Sequence, residues 1–364
     1  MNKFIVASAL LALSGCYEVV GPDPAASTSA PPPVDRCPVT PGAPLAVTGV
    51  RDLGTLDQPP RVSGRVASTI ETHRGVRWVF AEVGLRGDPS DARTRLNAGL
   101  ATPAHGEPAR LVEALDRTGA PLEALAYQDG DRAGGGATGD APLGLWPIAV
   151  AVPRADETLV FYGRWRLRGG FLNLGAEGVS IARYTADGAP MTRSANLLYA
   201  PGEPAYAPVA IDGDTVYLAR CEVVNDFDAA CRMARVARGA VESRAAYTYW
   251  DGAGWSRDAA RATEMVRGAN GFTMGYNRHL ARWVAVYGEV LGNRMFVRTA
   301  ARPEGPWDAP VLALTTPTPS RDNNYAMVSH PALSDPAGCS LVVSWFAPRG
   351  EAGGETHVAE LSFR

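Results

Sequence analysis

Residues 281–300 read ARWVAVYGEVLGNRMFVRTA, and this stretch decides the fold. It holds two runs rich in β-branched and aromatic residues, Ala281–Gly288 and Arg294–Ala300, with a short glycine-containing segment between them. Runs of this kind, bounded by turn residues, are typical of neighbouring antiparallel strands. The stretch therefore predicts a β-hairpin.

Similar runs recur along the chain, roughly 60–80 residues apart, as in repeat architectures. Each of the last four is followed by a second strand-like run, and most are preceded by a third, more apolar one. The leading runs are Val76–Val83, Thr158–Trp165, Thr215–Cys221, Ala281–Gly288 and Ser340–Phe346. The second runs are Val179–Tyr184, Cys231–Ala237, Arg294–Ala300 and His357–Phe363, and the preceding ones are Leu145–Val152, Tyr206–Ile211, Phe272–Asn277 and Tyr325–Leu333.

Five units of three or four antiparallel strands predict an all-β fold, a five-bladed β-propeller, because radial repetition hides the edges of the sheets. A β-sandwich is the alternative, but it has fewer strands and no such repeat. Helical periodicity is scarce, and its best candidate is the short segment Ala109–Asp116.

The beginning of the chain has a different pattern. Lys3 precedes an apolar run from Phe4 to Leu13, and Ser14, Gly15 and Cys16 follow. This arrangement resembles a bacterial lipoprotein signal peptide, which implies cleavage before Cys16 and lipidation of its sulfur. The run is too short to span a bilayer, which takes about 20 apolar residues. The alternative is an ordinary cleaved signal with an incidental cysteine.

We therefore expect a signal peptide over residues 1–15, a tether over 16–44 that is rich in Pro, Ala, Ser and Thr, and a propeller over 45–364. The expected location is the bacterial cell envelope, with membrane contact through the lipid anchor only. Tyr17 follows the cysteine where inner-membrane retention would favour Asp. By resemblance to enterobacterial sorting rules, the outer membrane is favoured.

Composition narrows the class of protein. Hydrophobic residues make up 46% and charged residues 20%, which is a globular balance. A net charge of -3 gives no basic surface for nucleic acid, so no nucleic-acid partner is expected. Phosphate-binding and nucleophile-elbow motifs are absent. Asp156 and Asp212-Gly213-Asp214 have the pattern of turn acids, not of a calcium loop. We expect no cofactor and no metal.

The cysteines predict disulfides. Without Cys16, the 5 cysteines leave Cys37, Cys221, Cys231 and Cys339, an even set for an oxidising compartment. Four cysteines allow three pairings. Cys221 and Cys231 flank a short polar segment between two apolar runs, which favours the pairs Cys221–Cys231 and Cys37–Cys339. Free buried thiols are the alternative, and the spacing does not fit a metal site.

Several stretches resemble the bacterial family called domain of unknown function 4185. They are the run from Tyr249 to Trp307, Leu145 to Trp165, the Cys221/Cys231 segment that ends in CRMARV, and NNYAMVSHPAL near the end. The resemblance covers most of residues 45–364. That family is similar in fold to five-bladed furanosidases, and some of its members are endo-acting D-arabinanases. The resemblance implies a site for sugars at the centre of the propeller.

The implied chemistry needs two carboxylates, one as the acid and one as the base or nucleophile. The family pattern has an Asp after a Gly-Arg pair and a second Asp at a strand end. In this chain Gly64-Arg65 is followed by Val66, and the strand end carries Glu82. Glu82 is thus the catalytic candidate, and its partner is missing. Asp52, Asp57, Glu71 and Glu203 are possible substitutes. The alternative role is turn formation for the two aspartates, a solvated charge for Glu71, and pairing with an arginine for Glu203.

Other residues are candidates for carbohydrate binding. Aromatic rings stack on the apolar faces of sugars, and amides bond to hydroxyl groups. Packing between blades is the alternative role of the aromatic candidates, and a satisfied buried histidine that of His330. The candidates are Arg65, Trp146, Glu203, Tyr206, Tyr276, Asn277, Tyr325 and His330.

Three functions follow from these features. The first is a lipid-anchored, extracytoplasmic propeller of glycosidase ancestry that binds a glycan or polysaccharide and has lost or weakened hydrolysis. The second is an active glycoside hydrolase of the endo-arabinanase type, in which Glu82 works with a relocated acid. The third is an envelope module for protein interactions.

Overall fold

The structure is a computed structural model of the chain. It describes residues 45–87, 95–128, 131, 143–167, 174–225, 228–268, 270–290, 292–317, 323–349 and 353–363. These residues all belong to one compact unit, Cys37–Arg364. The predicted signal peptide, the tether, Cys16 and Cys37 lie outside the described residues.

The chain folds into the predicted five-bladed β-propeller. Blade 5 contains the first strand, β1 (Val47–Thr55). Blade 1 consists of β2 (Val62–Thr72), β3 (Gly75–Leu85), β4 (Arg95–Ala104) and β5 (Glu107–Glu113). Blade 2 consists of β6 (Leu143–Pro147), β7 (Val152–Pro153), β8 (Thr158–Leu167), β9 (Leu174–Tyr184) and β10 (Thr192–Arg193).

Blade 3 consists of β11 (Ala207–Asp212), β12 (Thr215–Asn225), β13 (Asp228–Ala237), β14 (Thr248–Trp250), β15 (Trp255–Ser256) and β16 (Glu264–Arg267). Blade 4 consists of β17 (Asn270–Asn277), β18 (Arg282–Gly288), β19 (Arg294–Ala300) and β20 (Val311–Thr315). Blade 5 adds β21 (Tyr325–Ser329), β22 (Ser340–Arg349) and β23 (Gly353–Phe363). Short 3-10 helices span Arg238–Ala240, Arg244–Ala246, Ala259–Arg261 and Pro331–Leu333.

The ring is closed by strands from the two ends of the propeller. β1 pairs antiparallel with β23, from Val47 opposite Phe363 to Thr55 opposite His357. The order across blade 5 is β21, β22, β23 and then β1. The first strand of the propeller therefore completes the last blade.

The core of the propeller lies between the blades. Each blade presents alternate residues to its two neighbours, because side chains alternate across a strand. The five buried apolar clusters of the described residues correspond to the five interfaces between neighbouring blades. At the interface of blades 5 and 1, for example, Val342 and Val358 pack with Trp78 and Phe80.

The inner strand of each blade runs in the same direction along the ring axis. The hydroxyl groups of Thr273 on β17 and Ser329 on β21 form a hydrogen bond of 2.9 Å, and the two residues occupy nearly matching positions along their strands. At the other end, Thr356, just after the β22–β23 turn, donates to the carbonyl of Arg65 in the first half of β2, at 2.9 Å. We call the side where inner strands begin the top face, and the side where they end the bottom face.

One prediction of local structure is wrong. The helical candidate Ala109–Asp116 is a strand, Glu107–Glu113, at the outer edge of blade 1. Thr102 of β4 lies opposite Val112 in this pair. A segment this short gains little as an isolated helix, whereas pairing with β4 satisfies its backbone groups.

The structure contains the predicted disulfide between Cys221 and Cys231, with Cα atoms 4.0 Å apart. The two residues lie directly opposite each other on β12 and β13. Cys339 is also disulfide-bonded, and its predicted partner, Cys37, lies outside the described residues. Among the helices in the described ranges, none is both long and apolar enough to cross a membrane.

Candidate functional site

The top face brings together part of the predicted site. Trp146 lies in the first half of the inner strand of blade 2, Tyr206 directly precedes β11, and Tyr325 begins β21. Arg65 lies in the first half of β2. Because all inner strands begin on this face, these residues share one end of the ring.

The bottom face holds the other candidates. Tyr276 and Asn277 end β17, and His330 directly follows β21. The sequence candidates are thus divided between opposite ends of the inner strands. A pocket at either end of the ring includes only one of the two groups.

Two indole rings form the most distinct feature of the top face. Trp146 of β6 and Trp165 of β8 have ring centroids 5.6 Å apart, with 30° between their planes. Each indole covers a glycine two residues before it. A Cβ at Gly163 would lie 2.5 Å from Nε1 of Trp165, and one at Gly144 would lie 3.1 Å from Nε1 of Trp146. The two glycines therefore provide the room in which the indoles lie against the sheet.

The polar atom of Trp146 is noteworthy. Its Nε1 is buried and has no hydrogen-bond partner among the described residues. Buried N–H groups are normally paired, so this one is an exception, while the residue that carries it is partly exposed. We call Trp146 and Trp165 the indole pair.

Strand alternation places the indole pair on the side of blade 2 that faces blade 3. Leu159 and Phe161, at even spacing before Trp165 on β8, belong to the cluster between these two blades. Gly144 lies opposite Trp165, and Trp146 lies opposite Gly163, so both rings share that side.

Blade 3 presents charged residues to the same interface. Val216 and Leu218 of β12 belong to the cluster between blades 2 and 3. By alternation, Arg220 and Glu222 continue this side toward the top face. Arg232 lies directly opposite Arg220 on β13. Glu222 joins the two arginines: its carboxylate pairs with Arg220 and lies 3.0 Å from Nη1 of Arg232.

Tyr206 lies within the same interface. Its ring is buried and packs edge-on against Tyr249, with centroids 5.2 Å apart. Burial raises the pKa of the Tyr206 hydroxyl, and the positive charges of Arg220 and Arg232 partly oppose this increase. The hydroxyl is therefore protonated and close to both guanidinium groups. We call the region between the indole pair and the three residues Tyr206, Arg220 and Arg232 the 2–3 cleft.

Arg65 is held by protein groups. Its guanidinium makes two bonds to Glu113, of 2.8 and 3.0 Å, and a further one to the carbonyl of Asp57. It also lies over the ring of Phe80, 3.8 Å from the centroid. The Arg65 side chain is 1% exposed and that of Glu113 is 7% exposed. These contacts connect the innermost and outermost strands of blade 1, and they leave almost no surface of Arg65 for a sugar.

The catalytic candidate lies on β3. The backbone of Glu82 pairs with that of Asn97, and its side chain lies outside the described part of the structure. Val66 is half-buried on β2, so the position that should carry the partner acid has no ionisable group. The catalytic role of Glu82 stays a prediction.

The four possible substitutes for the missing acid have other contacts. Asp52 accepts from the backbone N–H of Gly54 at 2.8 Å, within a turn. Asp57 accepts from the backbone of Leu111 at 3.2 Å and lies beside an exposed arginine. Glu71 is exposed near the end of β2.

Glu203 is the fourth substitute and a carbohydrate candidate. It accepts from the backbone N–H of Ala200 at 2.6 Å and pairs with Arg244 at 2.8 Å. These contacts lower the pKa of its carboxyl group. A general acid needs the opposite shift, so this environment suits a turn acid rather than a proton donor.

The pKa values of other carboxyl groups are shifted in the same direction as that of Glu203. Where the pKa of a described carboxyl group departs from its ordinary value, it is lowered, by hydrogen bonds from backbone N–H groups, from hydroxyl groups or from arginines. These groups are Asp116, Asp131, Asp187, Glu203, Asp251, Glu264 and Glu289. None of these seven carboxyl groups therefore has the raised pKa of a glycosidase acid.

Two of the bottom-face candidates differ in how far protein groups occupy their side chains. Asn277 donates to the carbonyl of Gly338 at 2.8 Å and accepts from the N–H of Leu280 at 2.9 Å. Tyr276 is 53% exposed and contacts Trp283 edge-on. Its ring is available to a ligand, whereas both ends of the Asn277 amide are engaged.

His330 is completely buried. Its ring nitrogens lie 2.8 Å from Oγ1 of Thr69 and 2.7 Å from Oγ of Ser344, and its ring packs on Trp78. Burial lowers the pKa of His330 to about 3, so the imidazole is neutral. Because it is satisfied and inaccessible, it fits the alternative role of a structural histidine between blades 5 and 1.

Some residues of the 2–3 cleft do not stand out in the sequence as site residues. Trp165 has the spacing of a packing residue, and Arg220 and Arg232 are two of many arginines. The usable signal was alternation: counting by twos from Leu218 places Arg220 on the side of β12 that faces blade 2.

Tyr325 packs on Phe346 on the far side of the ring, in blade 5, with centroids 5.1 Å apart.

Comparisons with known proteins agree with this fold. Residues 184–348 match the family Domain of unknown function (DUF4185), which confirms the resemblance seen in the sequence. No curated protein matches the chain.

Solved structures with a similar fold include the "putative hydrolase" from Bacteroides ovatus, at 14% identity and a TM-score of 0.56, over 83% of this chain and 87% of that one. A GH43_1 enzyme from Xanthomonas citri, solved with xylotriose, has 13% identity and a TM-score of 0.51, over 84% of this chain and 90% of that one. At such identities the likeness concerns the fold alone.

Proposed function

We propose that this propeller binds a glycan on its top face and has lost or weakened the hydrolytic activity associated with its fold. We propose further that it does so as a lipid-anchored protein of the bacterial cell envelope. The observation that carries the first proposal is the indole pair, two neighbouring and partly exposed aromatic residues.

The indole pair suits a sugar for a physical reason. The C–H faces of a pyranose or furanose ring are apolar, and they pack on aromatic faces, while polar groups at the edge of the aromatic surface bind hydroxyl groups. Glycines below both indoles keep the rings against the sheet. Two neighbouring aromatic rings extend the contact surface beyond that of one.

Weak or absent hydrolysis follows from the acids. Both glycosidase mechanisms need a carboxyl group with a raised pKa and a second, ionised one, at a fixed separation. Val66 supplies neither. The described carboxyl groups with shifted pKa values are all shifted downward, as Glu203 and Glu289 illustrate. Loss of one acid or base typically costs about 10²–10⁴ in rate.

Binding is tested on the full mature chain with an immobilised glycan panel that includes arabinan. Trp146→Ala and Trp165→Ala should each weaken binding at least about tenfold, since an aromatic contact contributes on the order of 1 kcal/mol beyond its buried area. Tyr276→Ala is the matched control, because this exposed side chain lies on the bottom face of the propeller. If only Tyr276→Ala abolishes binding, the top-face assignment is wrong.

Hydrolysis is tested by release of reducing ends from the glycans that bind and from arabinan. We expect little or no turnover by the wild-type chain and some gain in Val66→Asp combined with Glu82→Asp, which rebuilds the carboxylate pair. Robust wild-type turnover that Glu82→Gln abolishes would establish the active hydrolase instead. A chain that binds no glycan and cleaves none would favour the interaction module.

The anchor is tested separately. Cys16→Ala should block lipidation and move the protein from the membrane fraction to the soluble fraction. Membrane-bound Cys16→Ala protein that still carries lipid would contradict the anchor.

A further inference from the structure

The two arginines of the 2–3 cleft carry more positive charge than their described contacts neutralise. Arg220 and Arg232 lie directly opposite each other on β12 and β13. Like charges in that position repel each other. Glu222 bridges them and cancels one charge. Glu264, the neighbour of Arg232 on β16, is already paired with Arg267.

Both guanidinium groups retain donors for a second anion. Each has five N–H donors, and in the described contacts one terminal nitrogen of each bonds to Glu222. The side chain of Arg220 is 25% exposed and that of Arg232 is 31% exposed. The pair is therefore accessible, and it is not saturated by the acceptors that the structure describes.

The disulfide fixes the distance between the two arginines. Cys221 and Cys231 form the neighbouring cross-strand pair, with Cα atoms 4.0 Å apart. Alternation turns their sulfur atoms toward blade 4 and the arginines toward blade 2. A covalent cross-link at this position holds the two strands in register and reduces the reorganisation needed on binding.

The indole pair faces these arginines across the interface of blades 2 and 3. One wall of the 2–3 cleft, on blade 2, is thus aromatic, and the other, on blade 3, is cationic. A neutral sugar uses the first wall only. A sugar with a carboxylate or sulfate group uses both, because planar guanidinium groups bind such anions through paired hydrogen bonds.

We propose that the 2–3 cleft binds an anionic oligosaccharide, whose ring packs on Trp146 and Trp165 and whose acidic group bonds to Arg220 and Arg232. This proposal rests on the proposed glycan binding and specifies its chemical class.

The test uses trigalacturonic acid and its methyl ester, which share the sugar rings and differ in whether their carboxyl groups are charged or methylated, with calorimetry on the full mature chain at low salt. We expect the free acid to bind at least about tenfold more tightly, since a hydrogen bond to a charged group contributes about 1.5–3 kcal/mol. Adding salt should reduce the difference. A trisaccharide of galactose and its sulfated form provide a second arm, which separates carboxylate from sulfate as the preferred anion.

Variants locate the effect. Arg220→Gln and Arg232→Gln should each remove most of the preference for the acid, because each weakens binding of the acid far more than binding of the ester. Arg235→Gln is the matched control, because it lies on the same strand as Arg232 but stacks on Trp255 toward blade 4. Thermal melting of each variant establishes that it is folded, and the comparison of acid with ester on the wild-type chain needs no variant.

The outcomes separate the two proposals. Equal binding of charged and neutral forms, or a preference that survives both arginine variants, overturns the anionic class and leaves glycan binding in place. If neither these probes nor any glycan of the panel binds, both proposals are overturned.

Discussion

Glu113→Gln is the substitution whose effect the structure defines best. Glu113 neutralises Arg65 inside blade 1, where the two side chains are 7% and 1% exposed. Removing one partner of a buried ion pair leaves a buried charge uncompensated and typically costs about 3–5 kcal/mol. Because the glutamine carbonyl retains one acceptor for Arg65, we expect about 3 kcal/mol, the lower end of that range.

This loss is measurable by melting. A folded domain gains roughly 2.1 cal/mol/K of unfolding entropy per residue, which gives about 0.7 kcal/mol/K for roughly 320 residues. A loss of about 3 kcal/mol then lowers Tm by about 4–5 °C. Differential scanning calorimetry measures this change directly.

Two further variants isolate the cause. Glu107→Gln removes an exposed ion pair on the same strand, with side chains 66% and 68% exposed, and should change Tm by less than about 1 °C. Arg65→Met combined with Glu113→Leu replaces the whole pair by apolar groups and should recover most of the loss. If Glu113→Gln has the same Tm as Glu107→Gln, the buried ion pair does not stabilise the fold as proposed. If the folded double variant loses glycan binding, Arg65 contacts the sugar after all.

Three other outcomes follow from features described above. Because burial lowers the pKa of His330 to about 3, the unfolded chain takes up a proton near pH 6.5 that the folded chain excludes. The free energy of unfolding should therefore fall by about 1.4 kcal/mol per pH unit from pH 6.5 toward pH 3. Denaturation of His330→Gln should not show this slope. Gly163→Ala should displace the indole of Trp165, weaken glycan binding and alter tryptophan fluorescence; unchanged fluorescence would contradict the packing. Non-reducing peptide mapping should join Cys339 to Cys37, and any other partner refutes that pairing.

Much of the fold could be predicted because strand signals are local. The runs Thr158–Trp165 and Ser340–Phe346 begin where β8 and β22 begin, since β-branched and aromatic residues mark the most buried part of a blade. Strand ends were less visible. β12 continues to Asn225 beyond the predicted Cys221, because pairing with β13 extends past the apolar residues.

The site was harder to predict for a physical reason. Which end of the ring a residue occupies depends on where it lies along its strand, and which neighbour it faces depends on register and bulges. Tyr276 and Trp146 have equivalent sequence signals, but Tyr276 lies near the end of β17, whereas Trp146 lies in the first half of the inner strand that β6 and β7 form together. Arg65 likewise has the sequence signal of a site residue, and only the contact with Glu113 on the outermost strand reveals its structural role.

Closure of the ring by β1 has a consequence for the order of folding. Val47 must wait for Phe363, more than three hundred residues later, before their strands can pair. Contacts of such high sequence separation form slowly. Until then β1 has no partner strand, and a strand of another molecule can add to its edge. A chain that leaves the ribosome or crosses a membrane from its N-terminus therefore remains an open arc, with two reactive edges, until its last eleven-residue strand arrives.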